Sequence, residues 1–593
     1  MSARKQRLEL TWIGKDERPR LEPRILLEDA DQSYHAKARV TDKDIFDNIL
    51  IHGDNLLALK ALEQEFSGRV QAIYIDPPFN TGEAFDNYED GLEHSLWLDL
   101  MHKRILALHR LLSDSGTAFI HIDDNELGYL IALTDEIFGR SNRVSVVTFK
   151  QSSVSGPKAR NPGVVSIANY VLIYAKNKAA WKNRNVYRAI ERDDRYSKFI
   201  ENVEMPPDSW RFISLKDAFC RHHGVTEKEA DAKFGARLEA HLKKFVLALA
   251  NSVVRTARVA DNDVNEDARE ALGRSREQPG TVQHSARESL DDFYFINGEQ
   301  IAFYRNKARE IDGVYVTAER ISNLWDDLLS NNLHKEGNVT FKNGKKPEAL
   351  IKRCLELATE AGDLVLDSFL GSGTTAAVAH KMRRRWIGIE LGDHAVTHVM
   401  PRMRAVIDGS DSSGITKAVS WNAGGGFRYY RLAPSLLEKD TWGNWVIAQS
   451  YDAAKLSQAV CKLMGFTYQP DEKHYWSQGR SSETDFIYVT TQNLTHQQFL
   501  AISEEVGEKR TLLVCCKAFR ADADTFPNLT IKKIPQAVLR KCEWGKDDYS
   551  LNVASLPEAL PEPDEKGPVT PAKAKKKRIN GAQDDLFSRG KSK

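Results

Sequence analysis

LVLDSFLGSGTT, residues 364–375, is the stretch that decides the fold. Its first three residues are apolar and predict a buried strand, which runs into a glycine-rich turn and then into a helix that begins near Thr374. Gly371 and Gly373 lack a Cβ atom, so the backbone can turn tightly and a ligand can lie against it. The next predicted strand ends at Glu390, 17 residues after Gly373. A carboxylate there suits hydrogen bonding to the two hydroxyls of a ribose.

A glycine turn of this length is a weak signal alone, because many tight strand-to-helix turns bind nothing. The preceding strand and Glu390 strengthen it. The chain has no G-x-x-x-x-G-K-[ST] sequence, which argues against a loop that cradles a triphosphate. The pattern therefore favours a nucleoside ligand without a triphosphate.

A second loop, Asp76-Pro77-Pro78-Phe79, follows the predicted strand 70–75. One interpretation is a proline-rich loop whose aspartate caps a turn. The other is a binding loop, because open α/β sheets bind ligands at the carboxyl ends of their strands. The loop brings a carboxylate, a proline carbonyl and an aromatic ring within four residues. The two oxygens can accept both hydrogens of an exocyclic amino group, and the ring can stack on a flat base, which contributes about 1–3 kcal/mol.

Composition sets broad limits. The 593 residues include 84 Lys and Arg against 83 Asp and Glu, so the net charge of +1 exerts no overall attraction for nucleic acid. No run approaches the roughly 18 apolar residues of a membrane span, and the first twenty residues contain no apolar signal segment. The six cysteines show no disulfide or zinc spacing, which predicts a reducing cytoplasm.

The hydrophobic pattern divides the chain into six regions. We predict a charged N-terminal arm (1–45), an α/β region with the DPPF loop (46–147), an insert (148–344), an α/β region with the glycine loop (345–420), a further α/β domain (421–555) and a disordered tail (556–593). Within the insert, residues 148–185 are basic and aromatic, and residues 186–300 are expected to be largely helical. The apolar residues spaced along 234–249 predict ordinary core or a helix–helix contact.

Seven segments together resemble one family of enzymes. They are ILIHGDN (49–55), DPPF (76–79), FIHIDDNE (119–126), YVLIYAKN (170–177), KPEALI (346–351), DSFLGSGTT (367–375) and GGGFRYYRL (424–432). They resemble the S-adenosylmethionine-dependent amino-methyltransferases of DNA. The DPPF loop precedes the glycine loop by about 290 positions, an order similar to the beta class and, within it, to the Mod subunits of type III restriction-modification systems. The resemblance covers most of residues 45–435.

The resemblance implies a fold class. It is α/β, with a doubly wound, Rossmann-like methyltransferase sheet that is circularly permuted, a large inserted recognition domain and a smaller C-terminal α/β domain. Permutation leaves a packed sheet unchanged, because domain termini usually lie close together at the surface. Residues 46–147 and 345–420 are then expected to be two halves of one domain.

It also implies an activity, transfer of a methyl group from S-adenosylmethionine to the N6 amino group of adenine in double-stranded DNA. Aspartate rather than serine at position 76 favours adenine over cytosine. The base must be flipped out of the duplex, since it cannot be reached inside it. The resemblance assigns the catalytic role to Asp76, Pro77, Pro78 and Phe79. It assigns cofactor binding to Asp54, Lys346, Pro347, Asp367, Phe369, Gly371, Gly373, Thr374 and Glu390.

Two of these assignments have a structural alternative. Asp54 fits the N-cap of the helix that follows it, and by resemblance it contacts the cofactor's adenine. Pro347 fits the first turn of a helix, and the resemblance places Lys346 and Pro347 beside the methionine part of the cofactor. Asp123, Asp124 and Glu126 suit a strand end or helix cap better than a metal cluster, and we expect no metal.

Cations and aromatic residues alternate in the first part of the insert. A solvated loop explains the charges but not the aromatic residues, so we predict contact with the DNA backbone, which positions DNA without reading its sequence. The predicted contacts are Lys150, Lys158, Arg160, Lys176, Lys178, Lys182 and Arg184.

Other functions stay open at this point. The chain could serve mainly as a DNA-recognition subunit that recruits a separate nuclease-helicase, or it could methylate RNA or a free nucleoside. The 421–555 domain is a candidate for contact with such a partner or with a second copy of the chain. Residues Gln583 to Phe587 (QDDLF) resemble a peptide that docks on the replication sliding clamp, although five-residue matches in a tail are usually chance. We expect a cytoplasmic, nucleoid-associated protein with no membrane contact, acting in restriction-modification or phage defence.

Overall fold

The structure is a computed structural model that describes residues 9–12, 14–16, 19–79, 94–153, 163–288, 291–328, 333–341 and 344–549. Lys158, Arg160 and the segment from Gln583 to Phe587 lie outside the described residues. None of the helices in the described ranges is long and apolar enough to span a lipid bilayer.

The elements fall into four successive groups along the chain. The first contains β1 (Leu26–Glu28), β2 (Tyr34–His35), β3 (Asn48–His52), α1 (Asn55–Phe66), β4 (Val70–Ile75), α2 (His94–Leu111), β5 (Leu112–Ile122), α3 (Leu127–Thr134), β6 (Arg143–Lys150) and β7 (Ala168–Ala175). The second contains β8 (Tyr187–Ala189), β9 (Lys198–Ile200), β10 (Phe212–Ser214), α4 (Leu215–His223), α5 (Glu227–Phe234), α6 (Leu238–Ala248), β11 (Val253–Ala257), α7 (Glu266–Glu277), β12 (Gln283–Ser285), β13 (Phe293–Ile296), β14 (Glu299–Phe303), β15 (Ala308–Ile311), β16 (Val314–Arg320) and β17 (Leu324–Trp325).

The third group contains α8 (Glu348–Ala358), β18 (Leu364–Asp367), α9 (Thr374–Lys381), β19 (Arg385–Glu390), α10 (Met400–Ile407) and β20 (Gly426–Leu432). The fourth contains β21 (Leu437–Lys439), β22 (Trp445–Ile447), α11 (Ala453–Met464), β23 (Thr467–Tyr468), β24 (Gly479–Arg480), β25 (Asp485–Thr495), α12 (His496–Val506), β26 (Thr511–Arg520), β27 (Leu529–Lys533) and α13 (Gln536–Leu539).

A large mixed sheet organises the molecule. Within the described ranges it has eleven strands in the order β1-β20-β3-β19-β18-β4-β5-β7-β6-β17, with β2 also paired to β20. The run from β20 to β5 is parallel. Strand β7 lies antiparallel between β5 and β6. The described part of the N-terminal arm joins this sheet, since β1 and β2 both pair with β20.

The central strands of this sheet are covered on both faces. Ala72 and Tyr74 of β4 pack in a hydrophobic cluster with α8, α9 and α10. Ile73 and Ile75 point to the opposite face, because side chains alternate along a strand, and they are also fully buried. Burial of both faces is typical of parallel sheets in α/β proteins. The predicted α/β fold class with a large, doubly wound sheet is confirmed.

Strands from the two α/β regions interleave rather than lie side by side. Strands β18 and β19 come from the glycine-loop region, and they separate β3 from β4, which both come from the DPPF region. Residues 46–147 and 345–420 therefore contribute to one sheet.

The insert begins later than the sequence indicated. Strand β6 crosses the expected boundary at residue 148, and β7 and β17 belong to the large sheet although both lie within 148–344. Residues 176–323 are the part that leaves the sheet. The basic and aromatic pattern hid β7, whose residues from Val171 to Ala175 are all buried.

The expectation that residues 186–300 are largely helical is wrong. Besides α4 to α7, this stretch contains a six-stranded antiparallel sheet in the order β10-β9-β11-β14-β13-β12 among the described residues. Most of its strands have only three to five residues, which is too short to show a clear alternation of apolar and polar side chains. The apolar stripe does form core, since Phe245 is buried among partly buried Phe234, Leu238, Leu242 and Leu249.

The C-terminal region forms a separate five-stranded sheet in the order β23-β24-β25-β26-β27. Strands β25, β26 and β27 are parallel. The helix α12 begins at a capping box, in which Thr495 and Gln498 satisfy each other's backbone N–H groups. Strand β20, although it lies past residue 421, pairs with β3 in the large sheet.

Candidate functional site

The two loops singled out in the sequence follow neighbouring strands. Strands β4 and β18 are parallel and paired, with Val365 opposite Ala72 and Leu366 opposite Ile73. Their carboxyl ends therefore open at the same edge of the sheet, where Asp76 follows β4 and the glycine turn follows β18. We call this edge the catalytic edge. It is the position at which open α/β sheets bind ligands.

The glycine turn is shaped by its own backbone and by Glu390. Gly371 and Gly373 have φ angles of +53° and +78°, a left-handed conformation that strains residues with a side chain. A Cβ atom on Gly373 would also lie 3.2 Å from Val399 Cγ1. The Glu390 carboxylate accepts hydrogen bonds from Gly371 N (2.7 Å) and Gly392 N (3.1 Å). Glu390 at the end of β19 thus holds the turn in place.

Asp367 ends β18 and is buried under the turn. Its carboxylate accepts hydrogen bonds from Phe369 N (2.9 Å) and from the Thr375 hydroxyl (2.6 Å). Burial is the main cause that raises the pKa of Asp367 to about 7; the hydrogen bonds from Thr375 and Phe369 oppose the rise, and the nearby carboxylates of Asp76 and Glu390 add to it. Three carboxyl groups therefore share the catalytic edge. The side chain of Phe369 is itself buried.

Of the two carboxylate oxygens of Asp76, one is paired with a lysine and the other has no hydrogen-bond partner among the described residues. Its Oδ2 lies 2.8 Å from Lys346 Nζ. Its Oδ1 is buried and has no hydrogen-bond partner among the described residues. Burial raises the pKa of the Asp76 carboxyl, whereas the Lys346 ammonium opposes this shift. An unpartnered buried acceptor is costly unless something supplies a donor, so Oδ1 is suited to accept a ligand N–H.

Phe79 is held by two neighbours. The Lys346 ammonium lies over its ring, 4.8 Å from the centroid, and the His121 ring stacks with it at 5.7 Å. His121 is itself fixed by Tyr74 Oη at 2.9 Å from Nδ1 and by Asn169 Nδ2 at 3.0 Å from Nε2. Burial lowers the pKa of His121 well below its usual value, so its ring is neutral at pH 7.

The two prolines are anchored from the helix that follows. The indole Nε1 of Trp97 on α2 donates a hydrogen bond to the Pro78 carbonyl at 2.7 Å, and both Trp97 and Pro77 are buried. The Pro78 carbonyl is therefore engaged by the protein itself. The carbonyl expected to accept a ligand hydrogen is that of Pro77.

Asp54 adopts the capping role that the sequence left open. Its Oδ1 accepts a hydrogen bond from Leu57 N (2.9 Å) at the first turn of α1. Its Oδ2 accepts from the backbone N–H of Tyr549 (3.0 Å) and lies 3.5 Å from the buried Arg104 guanidinium. Both oxygens thus have partners within the chain. A contact between Asp54 and a cofactor stays a prediction.

Pro347 is the N-cap of α8, and the residue after it begins a buried charge cluster. The Glu348 carboxylate lies 2.8 Å from both Lys381 Nζ and Arg402 Nη2, and all three side chains are fully buried. Arg402 also donates hydrogen bonds to the Thr374 hydroxyl (2.9 Å) and the Ser372 carbonyl (3.3 Å). The cluster therefore supports the glycine turn from behind, and Thr374 is buried within it.

One predicted DNA contact lies at the catalytic edge. Lys150 ends β6 opposite Ala168, two residues beyond the pairing of Tyr170 with Ile122 at the carboxyl end of β5. Lys150 thus lies at the catalytic edge, as Asp76 does.

The structure does not bring four other predicted DNA contacts to this edge. Strand β7 is antiparallel, so Lys176 follows the end that pairs with Thr117, about 17 Å from Ile122 at about 3.3 Å per residue. Lys176 Nζ donates to the Leu112 carbonyl, and Lys178 Nζ donates to that of Arg143. Arg184 pairs with Glu360 at 2.7 Å, and Lys182 lies close enough to lower the pKa of the same carboxylate. Of the four aromatic residues that alternate with these cations, Tyr170, Tyr174, Trp181 and Tyr187, only Tyr174 is fully buried.

A comparison with protein families identifies the domain. The family model N6_N4_Mtase, described as DNA methylase, matches residues 70–400, more than half of the chain. The chain belongs to the DNA methylase family. The family resemblance stated from the seven segments is thereby confirmed.

Relatives of this DNA methylase include restriction-modification proteins. It is 33% identical over 472 residues to the "Probable type III restriction-modification enzyme HindVI Mod subunit" of Haemophilus influenzae, covering 75% of this chain and 62% of that protein. It is 25% identical to the "Type II methyltransferase M.EcaI" of Enterobacter cloacae, covering 67% and 77%. It is 23% identical to the "Type III restriction-modification enzyme EcoP15I Mod subunit" of Escherichia coli, covering 74% and 73%. The chain thus spans about three fifths of the Haemophilus relative.

Several residues of the site were not selected from the sequence of this DNA methylase. Trp97 and His121 support the DPPF loop, and Arg402 supports the glycine turn. Trp97 looked like one apolar residue in a helix, and the contacts of His121 and Arg402 cross between elements far apart in the chain. The one available signal was that His121 belongs to the FIHIDDNE segment.

The residues of the catalytic edge fit a cofactor built from a nucleoside and an amino acid. The Ser368 hydroxyl is buried and has no hydrogen-bond partner within the described part of the chain. A Cβ atom on Gly371 would come no closer than 3.8 Å to another residue, which leaves room beside the turn. Glu390 offers carboxylate oxygens to ribose hydroxyls, and Lys346 offers an ammonium to a carboxylate.

Proposed function

We propose that this protein transfers a methyl group from S-adenosylmethionine to the N6 amino group of adenine at a specific site in double-stranded DNA. We further propose that it is the modification and recognition subunit of a type III restriction-modification system. Membership of the DNA methylase family and similarity to proteins named Mod subunits support both proposals. In this role the protein acts on chromosomal or phage DNA in the cytoplasm.

One observation carries the assignment of the site. Asp76 and the glycine turn open at the same edge on paired strands, and Asp76 Oδ1 lies buried without a partner among the described residues. A base held at Asp76 and a nucleoside held at the glycine turn would thus lie beside one another. This neighbourhood is what direct transfer between the two requires.

The catalytic group is the DPPF loop. The adenine amino nitrogen is a poor nucleophile, because its lone pair is delocalised into the ring. Asp76 and the Pro77 carbonyl accept hydrogen bonds from its two N–H groups and draw the nitrogen toward tetrahedral geometry. Once methylated, the nitrogen releases one of these hydrogens as a proton to solvent. S-adenosylmethionine, when bound, supplies a methyl group on a sulfonium that departs as a neutral thioether. The main contribution of the protein is to align the two reactants.

Phe79 holds the flipped base by stacking. The base leaves the duplex at the cost of its own stacking and pairing, and an aromatic platform returns about 1–3 kcal/mol. His121 fixes the Phe79 ring from within the protein. Because His121 is neutral, it adds no charge beside the base.

The cofactor site is assigned to the glycine turn and its supports. Glu390 orients the turn and is placed to accept hydrogen bonds from the ribose. Asp367, Phe369, Gly371, Gly373 and Thr374 form the wall of the site, and Lys346 with Pro347 closes it toward Asp76.

A second candidate role is recognition of DNA on behalf of a nuclease-helicase partner. The similarity to Mod subunits favours it, and it is compatible with methylation by the same chain. The five-stranded C-terminal sheet is the proposed surface for that partner or for a second copy of the chain. Docking of the residues from Gln583 to Phe587 on a sliding clamp is a separate proposal, tested by deleting Leu586 and Phe587.

The experiment is to express the chain in bacteria and to sequence the genome with a long-read method that detects modified bases. The wild type should methylate adenine at one sequence motif. Asp76→Ala should lower methyl transfer by about a hundredfold or more, while S-adenosylmethionine still binds. Undiminished turnover in this variant would contradict the assignment.

The control for this experiment is Asp471→Ala. Asp471 lies in an exposed turn, where it contacts His474, and its loss should leave methylation unchanged. A genome with no modified motif in the wild type would contradict the proposed activity itself.

A further inference from the structure

The Lys346 ammonium lies against both groups that would hold the target base, Asp76 and Phe79, and leaves only the Oδ1 oxygen of Asp76 without a partner among the described residues. It lies at once 2.8 Å from Asp76 Oδ2 and 4.8 Å from the centroid of the Phe79 ring. An adenine amino group held by Asp76 and stacked on Phe79 would meet these same two partners. An ammonium resembles that group chemically, because it donates N–H bonds to a carboxylate and is attracted to the face of an aromatic ring.

This ion pair is largely enclosed. The side chains of Lys346 and Asp76 are only 9% and 19% exposed. A pair shielded from water is screened little by salt. Lys346 will therefore leave Asp76 only for another anion, since a buried ammonium without a partner is costly.

The described carboxylates beside the site already have other partners. Glu390 accepts from two backbone N–H groups, and Asp367 accepts from Phe369 N and the Thr375 hydroxyl. Among the described residues, the carboxylates of this edge are therefore already engaged, and a bound ligand is the source of an anion that fits Lys346. S-adenosylmethionine carries one, a carboxylate separated from the sulfur by only three carbon atoms.

The geometry of transfer brings that carboxylate near Lys346. In-line transfer requires the sulfonium methyl to approach the amino nitrogen at Asp76 to about 3–3.5 Å. The carboxylate is then only a few bonds from the Asp76–Lys346 pair. The long, flexible side chain of lysine can reach from one to the other.

We propose that Lys346 exchanges partners during the reaction cycle. In the free protein it pairs with Asp76 and keeps the base site closed. When the methyl donor is bound, it pairs with the amino-acid carboxylate of that donor and leaves Asp76 open to the target base. This proposal rests on the proposed function, and it makes Lys346 a positioning residue that orders the binding of the two substrates.

The proposal has a thermodynamic signature that a fixed ion pair lacks. If Asp76 and the cofactor compete for one ammonium, weakening the Asp76 pair must strengthen cofactor binding. Coupling of this kind is reciprocal. The target base also takes Asp76 away from Lys346, so bound cofactor and bound base must each tighten the binding of the other by the same factor.

The first test is the nearly isosteric variant Asp76→Asn, with S-adenosylmethionine binding measured by isothermal titration calorimetry. Release of Lys346 should tighten binding about five- to tenfold. In the Lys346→Met background the same substitution should have no effect. Unchanged affinity in Asp76→Asn, with Lys346 intact, would overturn the proposal.

The second test compares two ligands on Lys346→Met. S-adenosylmethionine should bind about tenfold more weakly, whereas 5′-methylthioadenosine, which lacks the amino-acid part, should bind as it does to the wild type. Equal losses for both ligands would show that Lys346 only maintains the pocket, which would also overturn the proposal. The control is Lys352→Met on α8, the helix that follows Lys346; the Lys352 ammonium pairs with Asp312 and Glu356.

These binding measurements separate the two proposals of function. Competition for Lys346 together with a wild type that methylates no DNA would remove the proposed activity and leave the exchange standing. Methylation of DNA without any competition would do the reverse. A wild type that binds no S-adenosylmethionine would contradict both.

Discussion

Asp76 combines burial with a single ion pair, and this combination governs how the site responds to pH. Burial raises the pKa of its carboxyl, and Lys346 partly counteracts the rise. Methyl transfer needs the ionised carboxylate, so activity should fall as the pH drops through this raised pKa, at a higher pH than for an ordinary aspartate.

Removal of Lys346 should move this acid limb of the pH–rate profile to higher pH. Lys346→Met eliminates the charge that lowers the Asp76 pKa, whereas Lys346→Arg retains a charge and should keep the limb near its wild-type position. The measurement is kcat/KM for S-adenosylmethionine from pH 5 to 9, which reports the free enzyme, where Lys346 pairs with Asp76. A limb that stays in place in Lys346→Met would show that the ammonium does not act on Asp76 in the free protein.

At this scale the sequence predicted the residues that carry chemistry better than those that support them. Asp76, Gly371 and Glu390 stand in local patterns whose chemistry can be read directly. His121 stacks on Phe79, which lies 42 residues earlier in the chain, and Arg402 donates a hydrogen bond to Thr374, 28 residues earlier. Such contacts between distant segments leave no local pattern. The structure places the cations of 176–184 away from the catalytic edge, and their contact with DNA stays a prediction, because charge beside aromatic residues does not reveal which edge of a sheet a residue occupies.

The helix α8 supports the glycine turn through a buried charge cluster at its first residue. This residue, Glu348, pairs with both Lys381 of α9 and Arg402 of α10, and Asp411 supplies a second buried carboxylate to Lys381. Glu348→Gln would leave two buried cations with less compensation. Breaking a buried pair costs about 3–5 kcal/mol, so the free energy of unfolding should fall by about 3 kcal/mol in urea denaturation.

The matched control is Glu356→Gln, on the same helix. Glu356 pairs with Lys352 near the surface, where such pairs contribute at most about 1 kcal/mol. Equal losses of stability in the two variants would mean that the buried cluster contributes no more than a surface pair.

Elements whose ends are encoded locally were predicted closely. Helix α9 begins at Thr374, the residue that the sequence indicated. The three-residue strands of the insert were not predicted, because strands this short show no clear alternation of apolar and polar side chains. Their apolar residues pack only against residues that are distant in the sequence. The boundaries at 148 and 421 failed for the same reason, since β7 and β20 join the large sheet from outside the expected limits.

On the scale of the whole molecule, the catalytic edge should face the DNA. Lys150 lies at this edge and Lys178 at the opposite one. Lys150→Gln should therefore reduce the slope of log affinity against log salt by about one phosphate contact, and Lys178→Gln should leave it unchanged. Fluorescence anisotropy with a duplex of arbitrary sequence measures both slopes. Equal slopes for the two variants would show that DNA does not approach the protein along this edge.

The interleaved strand order also has a consequence for how the protein is made. Strands β3 and β4 emerge from the ribosome early, yet β18 and β19, which lie between them, follow about 290 residues later. At about 5–20 residues per second, the nascent chain waits roughly 15 to 60 seconds for its central strands. During that interval β4 exposes an apolar edge that invites association with other chains. We therefore expect the chain to depend on chaperones during translation, because the strand that carries the glycine turn lies in the middle of the sheet but is made about 290 residues after its neighbour β4.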